Sequence, residues 1–348
     1  MYNTISRWDP TNDKCARVKW VVTGAAGFIG TNLSKHLQEN DIEVCLIDDL
    51  SRPGVKENAQ YLIKNFGVKI EPVDVSDFQH LEETLSKFGS FQVLVHLAGQ
   101  VSLLNSINNP RRDFEVNALG TLNVLEFVRL RMPDAVVIGM SSNKIYGDLD
   151  SINILELEKK YVAPEYPNGF SETLPIDFHG PYGCSKGAAD QYLADYARIY
   201  GLKTVSLRQS SVYGPFQKPS SDQGWVTHLM QEALQERKIN LYGQGKQVRD
   251  LLHVDDLVKL FVELSRMSSD KFGAQFNVGG GPSNSLSILE LFEWIENAAS
   301  VKVRFHTGDF RQSDQKIFMS DNTKISSQTN WRPMISKEVG LRQLAGLA

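Results

Sequence analysis

Tyr182 and Lys186, in "YGCSK", stand four residues apart, so on a helix their phenol and ammonium share one face. A positive charge there stabilises phenolate and draws the tyrosine below its ordinary value of about 10. A tyrosine tuned in this way is a general base near neutral pH. The same spacing occurs on plain surface helices, so the pair needs partners before it implies a reaction. Ser142, in "SSNKIYGDL", is one. It ends the apolar run "AVVIGM", at the edge where open parallel sheets bind ligands, and its hydroxyl can hold the oxygen that Tyr182 deprotonates. Ser141 and Ser142 could instead bond local backbone in a turn.

The second partner is a cofactor. "TGAAGFIG" sets Gly24, Gly27 and Gly30 three apart, with Phe28 and Ile29 between the last two, where a β-branched run gives way to a helical pattern. Glycine lets backbone approach a pyrophosphate, and the helix start offers free N–H groups and a positive dipole end. A tight strand-to-helix turn would use the same glycines. Asp48 ends the next strand at the spacing where a carboxylate binds the adenosine ribose and repels the extra phosphate of NADP. NAD is therefore the expected cofactor, with Asp49, Ser51 and Arg52 alongside and Arg52 the one residue favouring NADP. Asp74 and Val75 end the third strand, placed to meet the adenine, unless Asp74 is a helix N-cap.

These residues need a scaffold that brings strand ends together. "WVVTG", "EVCLID", "VKIEPVDV", "QVLVHLAG" and "AVVIGMSS" are apolar runs separated by helical patterns, including Phe78 to Phe88 and Asp113 to Leu130. That alternation implies an α/β fold, a Rossmann-type doubly wound parallel sheet covered on both faces. After Tyr146 the rhythm breaks, and residues 147 to 180 read as a long functional loop or lid. A helix resumes near Pro181, followed by "KTVSLRQ", a helix over Thr227 to Arg237, "INLYG", a helix over Val254 to Met267, "QFNVGG" and a helix over Ile288 to Ala299. The expected organisation is a flexible extension at 1–17, an NAD-binding domain at 18–206 plus about 239–265, and a smaller mixed α/β substrate domain at 207–238 and 266–348.

Composition excludes several function classes. The 348 residues carry 37 basic and 41 acidic side chains, a net charge of −4, so no overall field attracts nucleic acid or an anionic membrane. There is no apolar run of membrane-spanning length and no signal-peptide core at the start, which makes the cytoplasm the default. Cys15, Cys45 and Cys184 are odd in number and lack histidine partners at metal-ligand spacing, so reduced thiols and no metal site are expected.

The glycine pattern, the strand end "HLAG" with Leu97, Ala98 and Gly99, Asn117 in "NALGT", the serine before "YG" and the Tyr-Lys pair together resemble the extended short-chain dehydrogenase/reductases acting on nucleotide sugars. The resemblance runs from about residue 18 to 345. Longer strings, among them "NPRRDFEVNALGTLNVLE", "DFHGPYGCSKGAADQYLADYARIYGLKT", "DQGW" and "GKQVRDLLH", look like the CDP-tyvelose 2-epimerases, also called CDP-paratose 2-epimerases. The resemblance implies that Tyr182 takes a proton from a sugar hydroxyl, that Lys186 lowers its pKa and binds the nicotinamide ribose, and that Ser142 completes the triad. It also implies a resident NAD that takes hydride from carbon 2 of a CDP-3,6-dideoxyhexose and returns it to the other face, in lipopolysaccharide O-antigen biosynthesis. Arg249 and Arg311 would hold the diphosphate, for which guanidinium forks suit, although either could be a surface ion pair with Asp250 or Asp314. Gln100, Asn143, Asn168, His179, Gln223 and Trp225 would lie on the substrate side, with Ser211 where many relatives carry asparagine. The segment "FQKPSS", 216 to 221, could alter which sugar is accepted. A homodimer or homotetramer formed through helices near 113–130 and 182–200 is the family's expectation.

Three other activities compete. Sugar 4,6-dehydratases carry an Asp-Glu pair after the triad hydroxyl, whereas Asn143 and Lys144 follow Ser142 here. A UDP-hexose 4-epimerase would use the same triad, and only the substrate-side strings tell against it. A non-catalytic NAD(P)-sensing regulator would be expected to lack the Tyr-Lys pair.

Overall fold

A computed structural model describes residues 18–220, 223–310 and 314–347, so the expected extension at 1–17 and Arg311 lie outside the described residues. Seven strands form one parallel sheet in the order Ala274–Val278, Lys203–Gln209, Val136–Ser142, Val93–His96, Lys19–Thr23, Glu43–Ile47, Ile70–Glu71. Counted in chain order that is 7-6-5-4-1-2-3, a doubly wound Rossmann-type sheet whose direction switches between the first and fourth strands. Ligands of such sheets bind in the crevice outside the strand ends at that switch.

Burial explains why these runs are strands. Val21, Val22, Leu94, Val95, Val137 and Ile138 are all fully buried, including neighbours whose side chains alternate between faces, as a sheet covered on both sides requires. One face packs on helices Phe28–Glu39, Val55–Phe66 and Val254–Leu264 through Leu33, Leu37, Leu62, Leu257 and Phe261. The other packs on Phe78–Phe88, Gly120–Arg131 and Gly180–Tyr200 through Leu81, Leu85, Val124, Phe127 and Leu193.

Several boundaries differ from the expected ones. The third strand shrinks to Ile70–Glu71, because Pro72 has no N–H to continue the ladder. The helix expected from Asp113 starts at Pro110 and widens into a π-helical turn at Glu115–Leu119 before continuing as Gly120–Arg131. The 147–180 segment is no loose lid: it holds the antiparallel pair Leu155–Glu156 and Tyr161–Val162, and it buries Tyr161, Ala163 and Phe170 against Val248, Ile317 and Phe318.

The smaller part also partitions differently. Val248–His253 is the centre of a four-stranded sheet with Ser285–Ser287, Ile317–Phe318 and Ser211–Tyr213, and Lys238–Tyr242 pairs in parallel with Arg304–Gly308. Both of these strands are therefore outside the nucleotide-binding part to which the sequence assigns 239–265. Conversely Ala274–Val278, expected in the substrate part, is the edge of the main sheet. The chain crosses between the two parts repeatedly, and parallel pairing of distant strands leaves no local mark in sequence.

Candidate active site

The glycine turn sits at the switch point and is built on backbone proximity. Gly24 has φ +68°, and a Cβ placed there would meet Leu97 and Ala98 backbone atoms at 2.6–2.8 Å. A Cβ on Gly30 would lie 2.1 Å from the Gly24 carbonyl oxygen. Any side chain at either position forces the turn apart. Helix Phe28–Glu39 follows with no side chain capping its first turn, so its leading N–H groups are left for an anion. Asp48 ends the neighbouring strand, accepting from the Ala26 N–H and the Leu50 N–H, both at 2.9 Å. Burial raises its pKa, and those two N–H groups oppose the rise.

Around this turn lies a cavity of about 550 Å³ lined by Gly24, Gly27, Asp48, Asp49, Ser51, Arg52, Asp74, Val75, Leu97, Ala98, Gly99 and Gln100. Asp49 accepts from the Ser51 N–H at 3.0 Å. Arg112, which the sequence did not single out, donates to Asp74 at 2.6 Å and lies 3.7 Å from Asp49. The turn that any Cβ would fill, the uncapped helix start and the acidic rim fit a dinucleotide without a 2′-phosphate.

A second cavity of about 300 Å³ adjoins it, sharing Gly24, Gly27, Arg52, Leu97 and Gln223. It is lined by Phe28, Ile29 and Gly30 of the glycine turn and its helix, by Ser142, Asn143, Tyr182 and Lys186, and by Ser211 and Trp225. Tyr182 and Lys186 project from helix Gly180–Tyr200, where Pro181 at the first turn fixes the entry angle. Ser142 ends its strand, accepts from the Lys144 N–H at 3.2 Å and lies near enough to Tyr182 to act on its pKa. The Lys186 Nζ donates to the Met140 carbonyl at 3.0 Å, and a Cβ on Gly99 would approach that nitrogen to 3.0 Å.

The electrostatics correct one expectation. Tyr182 is not drawn below 10: burial pushes it up to about 12, while the Ser142 hydroxyl and the Arg52 charge oppose the rise. Burial likewise pushes Lys186 down to about 8, with Asp113 opposing. Desolvation is the largest cause of both shifts.

The remaining expected residues divide. Trp225 donates to Ser211 at 3.1 Å, both lining the second cavity, and Asn143 donates to Gln315 at 2.7 Å. Gln223, expected against substrate, accepts from Arg52 at the junction of both cavities. Gln100 turns its amide to Asp113 at 2.7 Å. Asn117 lines neither cavity; buried behind Gly99, it accepts from the Gln100 N–H at 2.9 Å and holds that strand end. Arg249 is engaged with Asp314 at 2.8 Å and the Gln315 carbonyl at 2.7 Å. His179 lies between Asp148 at 2.9 Å and Asp177 at 3.1 Å, outside both cavities, and Asn168 is exposed in a turn. Among the described residues no group of three or more acidic, histidine or cysteine side chains could hold a metal.

The segment after Ser211–Tyr213 seats on the nucleotide side. The Pro215 carbonyl accepts from Asn32 at 2.8 Å, the Phe216 carbonyl accepts from Asn58 at 3.2 Å, and the Phe216 ring packs on Tyr61 at 4.6 Å. Lys218 pairs with Glu57.

A family model described as the NAD dependent epimerase/dehydratase family matches residues 20–279, a span that holds the glycine turn, Ser142 and the Tyr-Lys pair. The chain belongs to this family. Among relatives, CDP-paratose 2-epimerase of Salmonella typhi is 40% identical over 333 residues, covering 94% of this chain and 98% of its own. UDP-glucose 4-epimerase of Mycolicibacterium smegmatis is 31% identical over 329 residues, covering 93% and 96%. The crystal structure of Thermus thermophilus UDP-glucose 4-epimerase in complex with NAD superposes with a TM-score of 0.80 at 28% identity, covering 95% of this chain and 98% of that one. This epimerase/dehydratase family member is an isomerase of the nucleotide-sugar epimerase type, and NAD is its cofactor. Among the described residues no helix is long and apolar enough to cross a membrane.

Proposed function

We propose that the protein epimerises carbon 2 of a CDP-linked 3,6-dideoxyhexose, interconverting CDP-paratose and CDP-tyvelose. The observation that carries this reading is Ser142 and Tyr182 facing one cavity that adjoins the dinucleotide-sized crevice, followed by Asn143 and Lys144 instead of two carboxylates. Without an acid-base pair there, elimination of water has no agent, and a reversible oxidation remains. The 40% identity to a CDP-paratose 2-epimerase over nearly the whole chain supports carbon 2 and the cytidine nucleotide.

In this reading Gly24, Gly27 and the uncapped helix start hold the pyrophosphate, Asp48 and Asp49 hold the adenosine ribose, and Lys186 holds the nicotinamide ribose. Bound NAD supplies a hydride acceptor that becomes a hydride donor, so the sugar alcohol passes through a ketone and back. Tyr182 takes the hydroxyl proton and returns it, Ser142 holds the same oxygen, and Arg52 stabilises the phenolate. Trp225 lines the same cavity and supplies an apolar wall beside the sugar. Arg249, freed from Asp314, and Arg311 supply the diphosphate contacts. The exposed Phe114, Leu130, Tyr192, Ile199 and Tyr200 lie on the helices through which a homodimer or homotetramer would form.

The second reading is a UDP-glucose 4-epimerase, favoured by the 31% identical relative. Incubation with CDP-paratose, CDP-glucose and UDP-glucose in parallel, followed by NMR of the inverted stereocentre, separates the two. Inversion at carbon 4 of the UDP-sugar with no change in CDP-sugars overturns the proposal. In deuterated water, product from the proposed reaction carries no deuterium at carbon 2.

A further inference from the structure

The polar groups behind the Tyr-Lys pair converge on one carboxylate. Asp113 is fully buried on the short helix Pro110–Phe114, one turn before Asn117 in the π-helical segment. Its Oδ2 accepts from the Ser185 hydroxyl at 2.5 Å; its Oδ1 accepts from the Gln100 amide at 2.7 Å and the Asn117 amide at 3.3 Å. The Ser185 hydroxyl also accepts from Asn117 at 3.0 Å, and the Asn117 amide donates to the Gln100 carbonyl at 3.0 Å. The strand end, the π turn and the catalytic helix are thus tied to one negative charge.

All three donors are neutral, and no cation forms an ion pair with Asp113 among the described residues. Burial raises the Asp113 pKa, and the Ser185 and Gln100 hydrogen bonds, the Lys186 charge and the Asn117 hydrogen bond oppose the rise. The next residue after Ser185 is Lys186, itself buried and bonded to the neutral Met140 carbonyl. Among the described residues neither Asp113 nor Lys186 forms an ion pair, and Asp113 is the carboxylate whose field acts on the Lys186 ammonium. The same field acts on Tyr182, opposite in sign to that of Arg52.

We propose that Asp113, locked by Ser185, Gln100 and Asn117, is the fixed counter-charge of the Tyr182–Lys186 pair: a positioning residue that sets the pH window in which the pair works. This rests on the reading of Tyr182 and Lys186 as the proton-handling pair. The other groups facing the pair do not substitute for it. His96, on strand Val93–His96, is held neutral, with its pKa pushed down to about 3 by burial. Arg52 is of the opposite sign, Arg112 is paired with Asp74, and Lys144 beside Ser142 is paired with Asp314. A negative charge makes proton loss harder for a phenol and for an ammonium alike, so removing it moves both titrations to lower pH.

The test is a comparison of Asp113→Asn with Ser185→Ala in the NAD-loaded enzyme. Tyr182 is followed by NMR of ¹³Cζ-labelled tyrosine, its resonance assigned by its loss in Tyr182→Phe. Asp113→Asn keeps the shape and moves the Tyr182 titration, and with it both limbs of the kcat profile, down by about one pH unit. Ser185→Ala removes a hydrogen bond, keeps the charge and leaves the titration where it is. An unmoved titration in Asp113→Asn overturns the proposal, and so does an equal movement in Ser185→Ala, which would make geometry the cause. Should Asp113→Asn fail to fold, the ¹³Cγ shift of Asp113 in the native holoenzyme decides: an ionised carboxylate at neutral pH is expected, and a protonated one overturns the assignment. Neither titration needs substrate, so both read the counter-charge even if the sugar proposed above is wrong.

Discussion

The carboxylate of Asp48 accepts the Ala26 N–H at 2.9 Å, tying the end of the second strand to the middle of the glycine turn. Its other oxygen accepts from Leu50, so one side chain sets the turn and the loop that carries Asp49, Ser51 and Arg52. An acidic residue at this point therefore shapes the crevice as well as facing it. Asp48→Ala leaves the Ala26 and Leu50 N–H groups without partners and removes the charge that disfavours a 2′-phosphate. Calorimetric titration of the apo-protein is expected to show at least about tenfold weaker NAD binding, and thermal unfolding a loss of about 1–3 kcal/mol. Wild-type NAD affinity in this variant would falsify the assignment of the adenosine end.

Tyr182→Phe removes only a hydroxyl from the pocket, so the fold and the dinucleotide crevice are expected to persist. Turnover should fall by a factor on the order of 10² to 10⁴, the usual contribution of a positioned acid-base group. The retained cofactor, measured from the absorbance ratio of the purified protein, should match wild type. Activity within a few-fold of wild type would mean another group moves the proton.

The strap of residues 216–220 lines the two cavities together with Gln223, and these residues and the preceding Pro215 are fastened on the glycine-turn side by Asn32, Asn58, Tyr61 and Arg52. Phe216→Ala removes an aromatic contact worth about 1 kcal/mol beyond its buried area, and Gln223→Ala removes a hydrogen bond to a charged group worth about 1.5–3 kcal/mol. The double variant is expected to release NAD about tenfold faster or more, since about 1.4 kcal/mol is a factor of ten. Stopped-flow displacement by a fluorescent NAD analogue reads the rate directly. If release is unchanged while sugar preference shifts, the strap serves the substrate side instead.

Features written in one contiguous stretch of chain are legible in the sequence. The glycine turn, the strand end at Asp48 and the i, i+4 pair of Tyr182 and Lys186 each follow from local spacing, and the structure brings them to two adjoining cavities that share Gly24 and Gly27. Relations between distant stretches are not. Asp113 and Ser185 are 72 residues apart, and nothing in "NPRRDFEVN" marks the aspartate as facing the helix of Tyr182. The direction of the Tyr182 shift escapes the sequence for a related reason: a neighbouring ammonium is visible in a motif, whereas burial is a property of the assembled fold. Arg249 is a similar case, since its partner Asp314 is supplied by a strand approach 65 residues downstream.

His96 gives the fold a definite sensitivity to acid. Its Nδ1 meets the Thr23 hydroxyl at 2.7 Å, its Nε2 is buried without a partner among the described residues, and burial beside Lys186 pushes its pKa down to about 3. The unfolded chain protonates this ring near 6.5, so between about 6.5 and 3 the unfolded state binds more protons and stability falls as pH falls. Between about pH 7 and 5 this one group removes about 2 kcal/mol. His96→Asn, which can still bond Thr23 but cannot take up a proton, is expected to be less stable than wild type at neutral pH and to lose less on acidification. Urea unfolding of both proteins at about pH 7 and pH 5 measures the difference. Parallel losses in the two proteins would place the acid sensitivity in the carboxylates, and His96 would then be an ordinary packed ring.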